Sequence, residues 1–217
     1  MSDQSSRRVD IVVSGLALDD ADLVVVGVHG RDQTPAYLID HVVDPIGDPS
    51  IAWVLPAAPG PRWWPASFMD ERSANEPHLG AAVARLQVIA EHLAHVSAPV
   101  VWLGFSQGAC LVAEVVARSG RPWGGLVVLS GGLVGPPGTE LVVAGDLDAM
   151  PALVSCGTRD RWVPLVRVHE TAAAFDAAGA AVTMSVFDDD EHAIRPAELQ
   201  ELAVFLDRVR RRGRRSV

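Results

Sequence analysis

The strongest constraint on the fold is a rhythm of short, continuous apolar runs. Leu23–Val28, Ile51–Leu55, Val100–Leu103 and Leu126–Leu129 contain no polar side chain, Leu153–Ser155 ends on one, and Val182–Val186 is broken only by Thr183 and Ser185. A strand with one wet face alternates apolar and polar residues, whereas an unbroken apolar run suits a strand covered on both faces. Between these runs lie amphipathic stretches at Pro35–Val43, Leu79–Val96, Gln107–Arg118, Val163–Ala178 and Pro196–Arg211, with apolar residues such as Val83, Leu86, Ile89, Ala90 and Leu93 recurring at helical spacing. Strand alternating with helix predicts an α/β fold with a mostly parallel sheet and helices on both faces.

Three details extend this expectation. Val9–Val13 reads as a further strand, and Asp19, Asp20 and Asp22 between it and Leu23–Val28 suggest that the two form a hairpin. A short strand is expected at Leu141–Val143 within the Gly/Pro-rich stretch 130–150. The long segment Ala57–His78 has no helical or strand periodicity but is rich in Pro and Trp, the mark of a functional loop rather than a disordered one.

Composition narrows the function. The 217 residues read as one α/β domain over residues 1–217, with a basic tail at 207–217. Six of the 18 basic residues lie in that tail; without those six arginines the chain has 12 basic against 27 acidic residues, a net of −15. Such a body should repel nucleic acid and anionic membranes. The arginines themselves suit the C-terminal end of a helix dipole, with a small anion-binding arm as the less favoured reading. No lysine is present, so Schiff-base chemistry has no nucleophile. Cys110 and Cys156 sit in apolar runs and read as buried reduced thiols, which points to the cytoplasm. No metal-ligand spacing, secretory leader or stretch apolar enough for stable membrane insertion is apparent. No cofactor is expected, and an exposed apolar edge could support a homodimer.

The most informative motif is Gly104-Phe105-Ser106-Gln107-Gly108, placed between a strand and a helix. Glycines flanking a serine at that junction allow a tight, strained turn that lifts the hydroxyl to the carboxyl end of the sheet, beside a helix N-terminus. A serine so placed needs a base. Only His169 and His192 follow it; His169 falls within a predicted helix, leaving His192, in the loop after the last strand. For the orienting acid, the placement after Leu153–Ser155 favours Asp160, with Asp146, Asp148, Asp188, Asp189, Asp190 and Glu191 as competitors. The oxyanion would be met by the backbone N–H groups of Gln107 and of Arg31, which follows His29-Gly30. The side chains of these two residues are not required for that task. Trp63, Trp64 and Phe68 are candidates for an aromatic substrate wall. The acidic run 188–191 beside His192 would favour the protonated imidazole and hold back activity below neutral pH.

Val26-Gly27-Val28-His29-Gly30, Gly104-Phe105-Ser106-Gln107-Gly108, Asp160-Arg161-Trp162-Val163-Pro164 and Glu191-His192-Ala193-Ile194 occur in an order that resembles the phospholipase/carboxylesterase family of small α/β-hydrolases. The resemblance implies an α/β-hydrolase fold and a cytoplasmic serine esterase acting on small to medium acyl esters. It implies Ser106, Asp160 and His192 as the triad, with Arg31 and Gln107 at the oxyanion. A lysophospholipase, acyl-thioesterase or acyltransferase would use the same residues, and a ligand-binding protein on this fold is the reading from outside enzymology.

Overall fold

The computed structural model describes residues 10–215. Seven strands form one sheet: β1 (Ile11–Gly15), β2 (Leu23–Val28), β3 (Ile51–Pro56), β4 (Val100–Phe105), β5 (Gly125–Leu129), β6 (Pro151–Gly157) and β7 (Ala181–Phe187). Their order is β1-β3-β2-β4-β5-β6-β7, and every neighbouring pair is parallel except β1 with β3. The six apolar runs are all strands, and β2 through β6 are buried along their whole length.

Successive side chains of each central strand feed two cores. Val24, Val26 and Val28 of β2 pack on one face with Trp102 and the helices α4 (His78–Leu93), α5 (Gln107–Ser119) and α6 (Leu165–Ala177). Leu23 and Val25 face the other side with Trp53, Val101, Leu103 and Phe105. That side is closed by α1 (Pro35–Leu38) and α7 (Pro196–Arg215). Both faces are thus covered, as the unbroken apolar runs require.

Four local expectations are corrected. The hairpin between the first two strands does not form: β1 runs antiparallel to β3, and β2 sits between β3 and β4. A fully buried β2 gains more from two covered neighbours, whereas β1, with Val13 74% exposed, suits an edge. Val9, the expected start of that strand, lies outside the described residues. No strand forms at Leu141–Val143, because β5 already has neighbours on both sides and offers no free edge. The helix expected at Pro35–Val43 is interrupted: α1 passes into a π-helical turn at Ile39–Val43 and then α2 (Asp44–Ile46), where Pro45 cannot donate an intrahelical hydrogen bond. The last helix continues to Arg215, with Arg210 paired to Asp48 at 2.9 Å and Arg214 to Asp22 at 2.7 Å. Val217 and Ser216 of the basic tail lie outside the described residues. The segment expected to be a loop at Ala57–His78 is irregular apart from α3 (Arg72–Asn75) and His78, which opens α4. Among the described residues, no helix is long and apolar enough to cross a membrane.

Candidate active site

Ser106 sits between β4 and α5 with φ 55° and ψ −122°, a backbone conformation that costs energy for any residue bearing a Cβ. Its N–H donates to Leu129 O at 2.9 Å, and its carbonyl accepts the Cys110 N–H at 3.1 Å as α5 begins. The flanking glycines are demanded by contact. A Cβ on Gly108 would lie 2.0 Å from Val28 O, and one on Gly104 would lie 2.3 Å from Gly108 O. The turn is therefore pressed against the end of β2, which also carries the His29-Gly30-Arg31 segment.

Three residues distant in sequence converge here. His192 Nε2 lies 2.8 Å from Ser106 Oγ, and His192 Nδ1 lies 2.7 Å from Asp160 Oδ2. The other carboxylate oxygen of Asp160 accepts the N–H groups of Trp162 at 2.8 Å and Val163 at 3.0 Å. Burial alone would push the Asp160 carboxyl up. The hydrogen bond from His192 and those from the two backbone N–H groups outweigh it and hold the group below the usual carboxylate range. Asp160 is thus fixed as an anion whose side chain is fully buried. Of the competing carboxylates, three turn to arginines instead of the imidazole: Asp188 binds Arg159 at 2.5 Å, Asp189 binds Arg195 at 2.6 Å and Asp190 lies 3.6 Å from Arg161. Three of the four carboxylates of the acidic run are thus paired with arginines. His169 is exposed on α6.

The N–H groups of Arg31 and Gln107 donate to no other protein group among the described residues. Gln107 is the first residue of α5, where a helix leaves its N–H groups free. The side chains of both residues, expected to be dispensable, tie down the aromatic loop. The Gln107 amide accepts the Trp63 N–H at 2.9 Å and donates to Trp64 O at 2.9 Å. The Arg31 guanidinium donates to Pro65 O at 2.9 Å and Ala66 O at 2.6 Å. Buried Asn75 completes the fixation through Ala66 N at 3.1 Å and Ser67 O at 2.7 Å.

These elements border a cavity of about 480 Å³ that contains Ser106 and His192. Trp64 and Phe68 form part of its wall, with Cys110 and Trp162. Trp63 does not line it. Its indole N–H donates to His29 O at 2.9 Å, and its ring packs 5.2 Å from the His29 ring. His29 itself is buried; it accepts the Ala58 N–H at Nε2 and bonds Gly30 O through Nδ1, so its proton resides on Nδ1. Desolvation lowers its pKa and keeps the ring neutral. Burial pushes the Cys110 and Cys156 thiols up to about 12, which leaves both as inert thiols. Among the described residues, no cluster of His, Cys, Asp or Glu is arranged to hold a metal ion.

One supporting residue escaped the sequence reading. Arg195, almost fully buried, reaches carbonyls on either side of His192, Glu191 O at 2.6 Å and Ala193 O at 3.3 Å. It also binds Asp189 in bidentate fashion and Glu198 at 3.1 Å. Hydrogen bonding to Asp189 raises its pKa despite burial. A Cβ on Gly157 would strike the guanidinium at 2.6 Å, so the glycine at the end of β6 makes room for it. The one signal in the sequence was a single arginine following four acidic residues and the histidine.

Comparison with known proteins gives this geometry a lineage. A solved phospholipase/carboxylesterase of Dyadobacter fermentans is 31% identical, over 91% of this chain and 96% of that one, with a TM-score of 0.81. A carboxylesterase of Bacillus cereus (18% identity, 95% and 97% covered, TM-score 0.76) and SOBER1 of Arabidopsis thaliana (20% identity, 86% and 98% covered, TM-score 0.70) share the fold. No curated protein sequence matches the chain significantly. The model of the phospholipase/carboxylesterase family matches residues 19–210, a span that includes β2 through β7 and every residue of the cavity. With its sheet order and this match together, the chain belongs to the phospholipase/carboxylesterase family of hydrolases and has the α/β-hydrolase fold.

Proposed function

We propose that the protein is a serine carboxylic-ester hydrolase acting on small to medium acyl esters through an acyl-enzyme. One observation carries the reading: the unbroken line from Ser106 Oγ through both nitrogens of His192 to the buried Asp160 carboxylate, at 2.8 and 2.7 Å. Ser106 Oγ attacks the ester carbonyl as His192 Nε2 takes its proton. Asp160 holds the imidazole in the tautomer that accepts that proton and stabilises the imidazolium. The tetrahedral oxyanion rests against the N–H groups of Arg31 and Gln107, which need no reorganisation to receive it. The imidazolium returns its proton to the leaving oxygen, and the carbon–oxygen bond breaks. Water, activated by the same histidine, attacks the acyl-enzyme and frees Ser106.

The cavity volume supports small to medium substrates, since it lies at the lower end of the range for ligand pockets. The test is a fluorophosphonate probe together with a panel of p-nitrophenyl esters and one acyl-thioester. Labelling and ester hydrolysis, both lost in Ser106→Ala, are the expected result. A folded protein that neither labels nor hydrolyses any of these substrates refutes the reading. Faster turnover of the thioester than of its matched ester would replace the esterase assignment with a thioesterase.

A further inference from the structure

Trp162 takes no part in the chemistry above, yet its position is conspicuous. Among the described residues five of the six tryptophans are buried, whereas Trp162 is 72% exposed. It lines the same cavity as Ser106 and His192. Its backbone is fixed by the N–H that binds Asp160 Oδ1 at 2.8 Å, while Asp160 Oδ2 holds His192 Nδ1. Trp162 therefore belongs to the histidine side of the cavity. Trp64 belongs to the opposite side, tethered through the side chains of Arg31 and Gln107, whose N–H groups face the oxyanion.

This division distributes the parts of an ester. With the oxyanion against Arg31 and Gln107, the leaving oxygen must come within reach of His192 Nε2 to receive its proton. The group attached to that oxygen then extends toward Trp162. We propose that Trp162 is the platform of a leaving-group subsite, and that the preferred esters carry a flat, neutral aromatic alcohol. The inference rests on the serine-esterase reading and specifies its substrate. An exposed indole gains most from covering by another flat ring, in offset stacking. The charges nearby are matched: Arg161 faces Asp190, Arg159 faces Asp188, and Arg62 faces Asp32 at 3.7 Å. None of these three arginines is left free to recognise an anionic leaving group.

The experiment compares kcat/KM for 2-naphthyl acetate and phenyl acetate in the wild type, Trp162→Ala and Trp162→Phe. The two esters share an acyl group and release phenols of similar acidity, so the ratio isolates contact with the leaving group. Trp162→Ala should lower the naphthyl-to-phenyl ratio about fivefold, the factor that about 40 Å² of apolar contact supplies. The change should lie mainly in KM, and Trp162→Phe should keep most of the preference. An unchanged ratio in a folded Trp162→Ala protein overturns the subsite. So does a change confined to a comparison of phenyl acetate with phenyl hexanoate, which would assign Trp162 to the acyl chain. Hydrolysis of neither ester by the wild type, without Ser106 labelling, would instead refute the esterase reading itself.

Discussion

Removing the Arg195 guanidinium should separate stability from catalysis in a measurable way. Arg195→Ala leaves the Glu198 carboxylate, 1% exposed, with the Ser155 hydroxyl at 2.6 Å and the N–H of position 195 at 2.8 Å, but without a cation. Breaking one side of a buried ion pair costs about 3–5 kcal/mol. In a domain of this size each kcal/mol shifts the melting temperature by about 2–4 °C, so Tm should fall by roughly 10 °C. The same change strips the donors from Glu191 O and Ala193 O, the carbonyls that bracket His192. Loss of alignment on the scale of an ångström lowers turnover by about 10²-fold, so kcat should fall between about tenfold and a hundredfold. KM should change little, because Arg195 does not line the cavity. The assays are a thermal melt and p-nitrophenyl acetate turnover, the latter at a temperature well below both melting points. Arg195→Met combined with Glu198→Met removes both charges and should recover much of the lost Tm, since the isolated buried carboxylate is gone. It should not recover kcat, because the two carbonyls remain without their donor. A kcat within about twofold of wild type in Arg195→Ala, despite the fall in Tm, would refute the idea that this side chain holds His192 in place.

Asp160→Asn should keep the fold, because the Asn carbonyl oxygen can still accept the Trp162 and Val163 N–H groups. Its NH₂ group would then face His192 Nδ1 and force the proton onto Nε2, so kcat at neutral pH should fall by about 10⁴-fold, with a smaller loss refuting the tautomer argument. The depressed pKa of Asp160 also makes a stability prediction. A carboxyl whose folded value lies below its unfolded value contributes fully above the unfolded value, about pH 4, and loses that contribution as the pH falls through the folded value. The difference in Tm between wild type and Asp160→Asn should therefore shrink as pH drops from about 5 toward 2; a constant difference over that range would show that the ionised form is not favoured by folding.

The two halves of the molecule were unequally legible in the sequence. The buried strands declared themselves because a run such as Leu23–Val28 has no other stable environment. The Ser106 turn declared itself because only glycine fits at Gly104 and Gly108. What stayed hidden depended on which neighbour won. The partner of β1 is decided by which strand edge remains open after the parallel strands assemble, and no local turn signal records that. Trp63 and Trp64 are adjacent and identical in type, yet successive side chains diverge, so one enters the cavity wall and the other packs on His29. The ion pairs of the acidic run beside His192 were hidden too, because Arg159 and Arg161 come from the segment after β6 and meet Asp188 and Asp190 only on folding.

The double hold of Gln107 on Trp63 and Trp64 has a practical bearing on redesign. Widening the cavity by lengthening or reshaping the segment at 63–66 would pull on Gln107, whose backbone N–H is proposed to meet the oxyanion, so gains in scope would be offset by slower chemistry. Phe68 lies beyond that attachment and Cys110 one turn further along its helix. Libraries that enlarge or shrink the substrate range with least penalty should begin at those two positions.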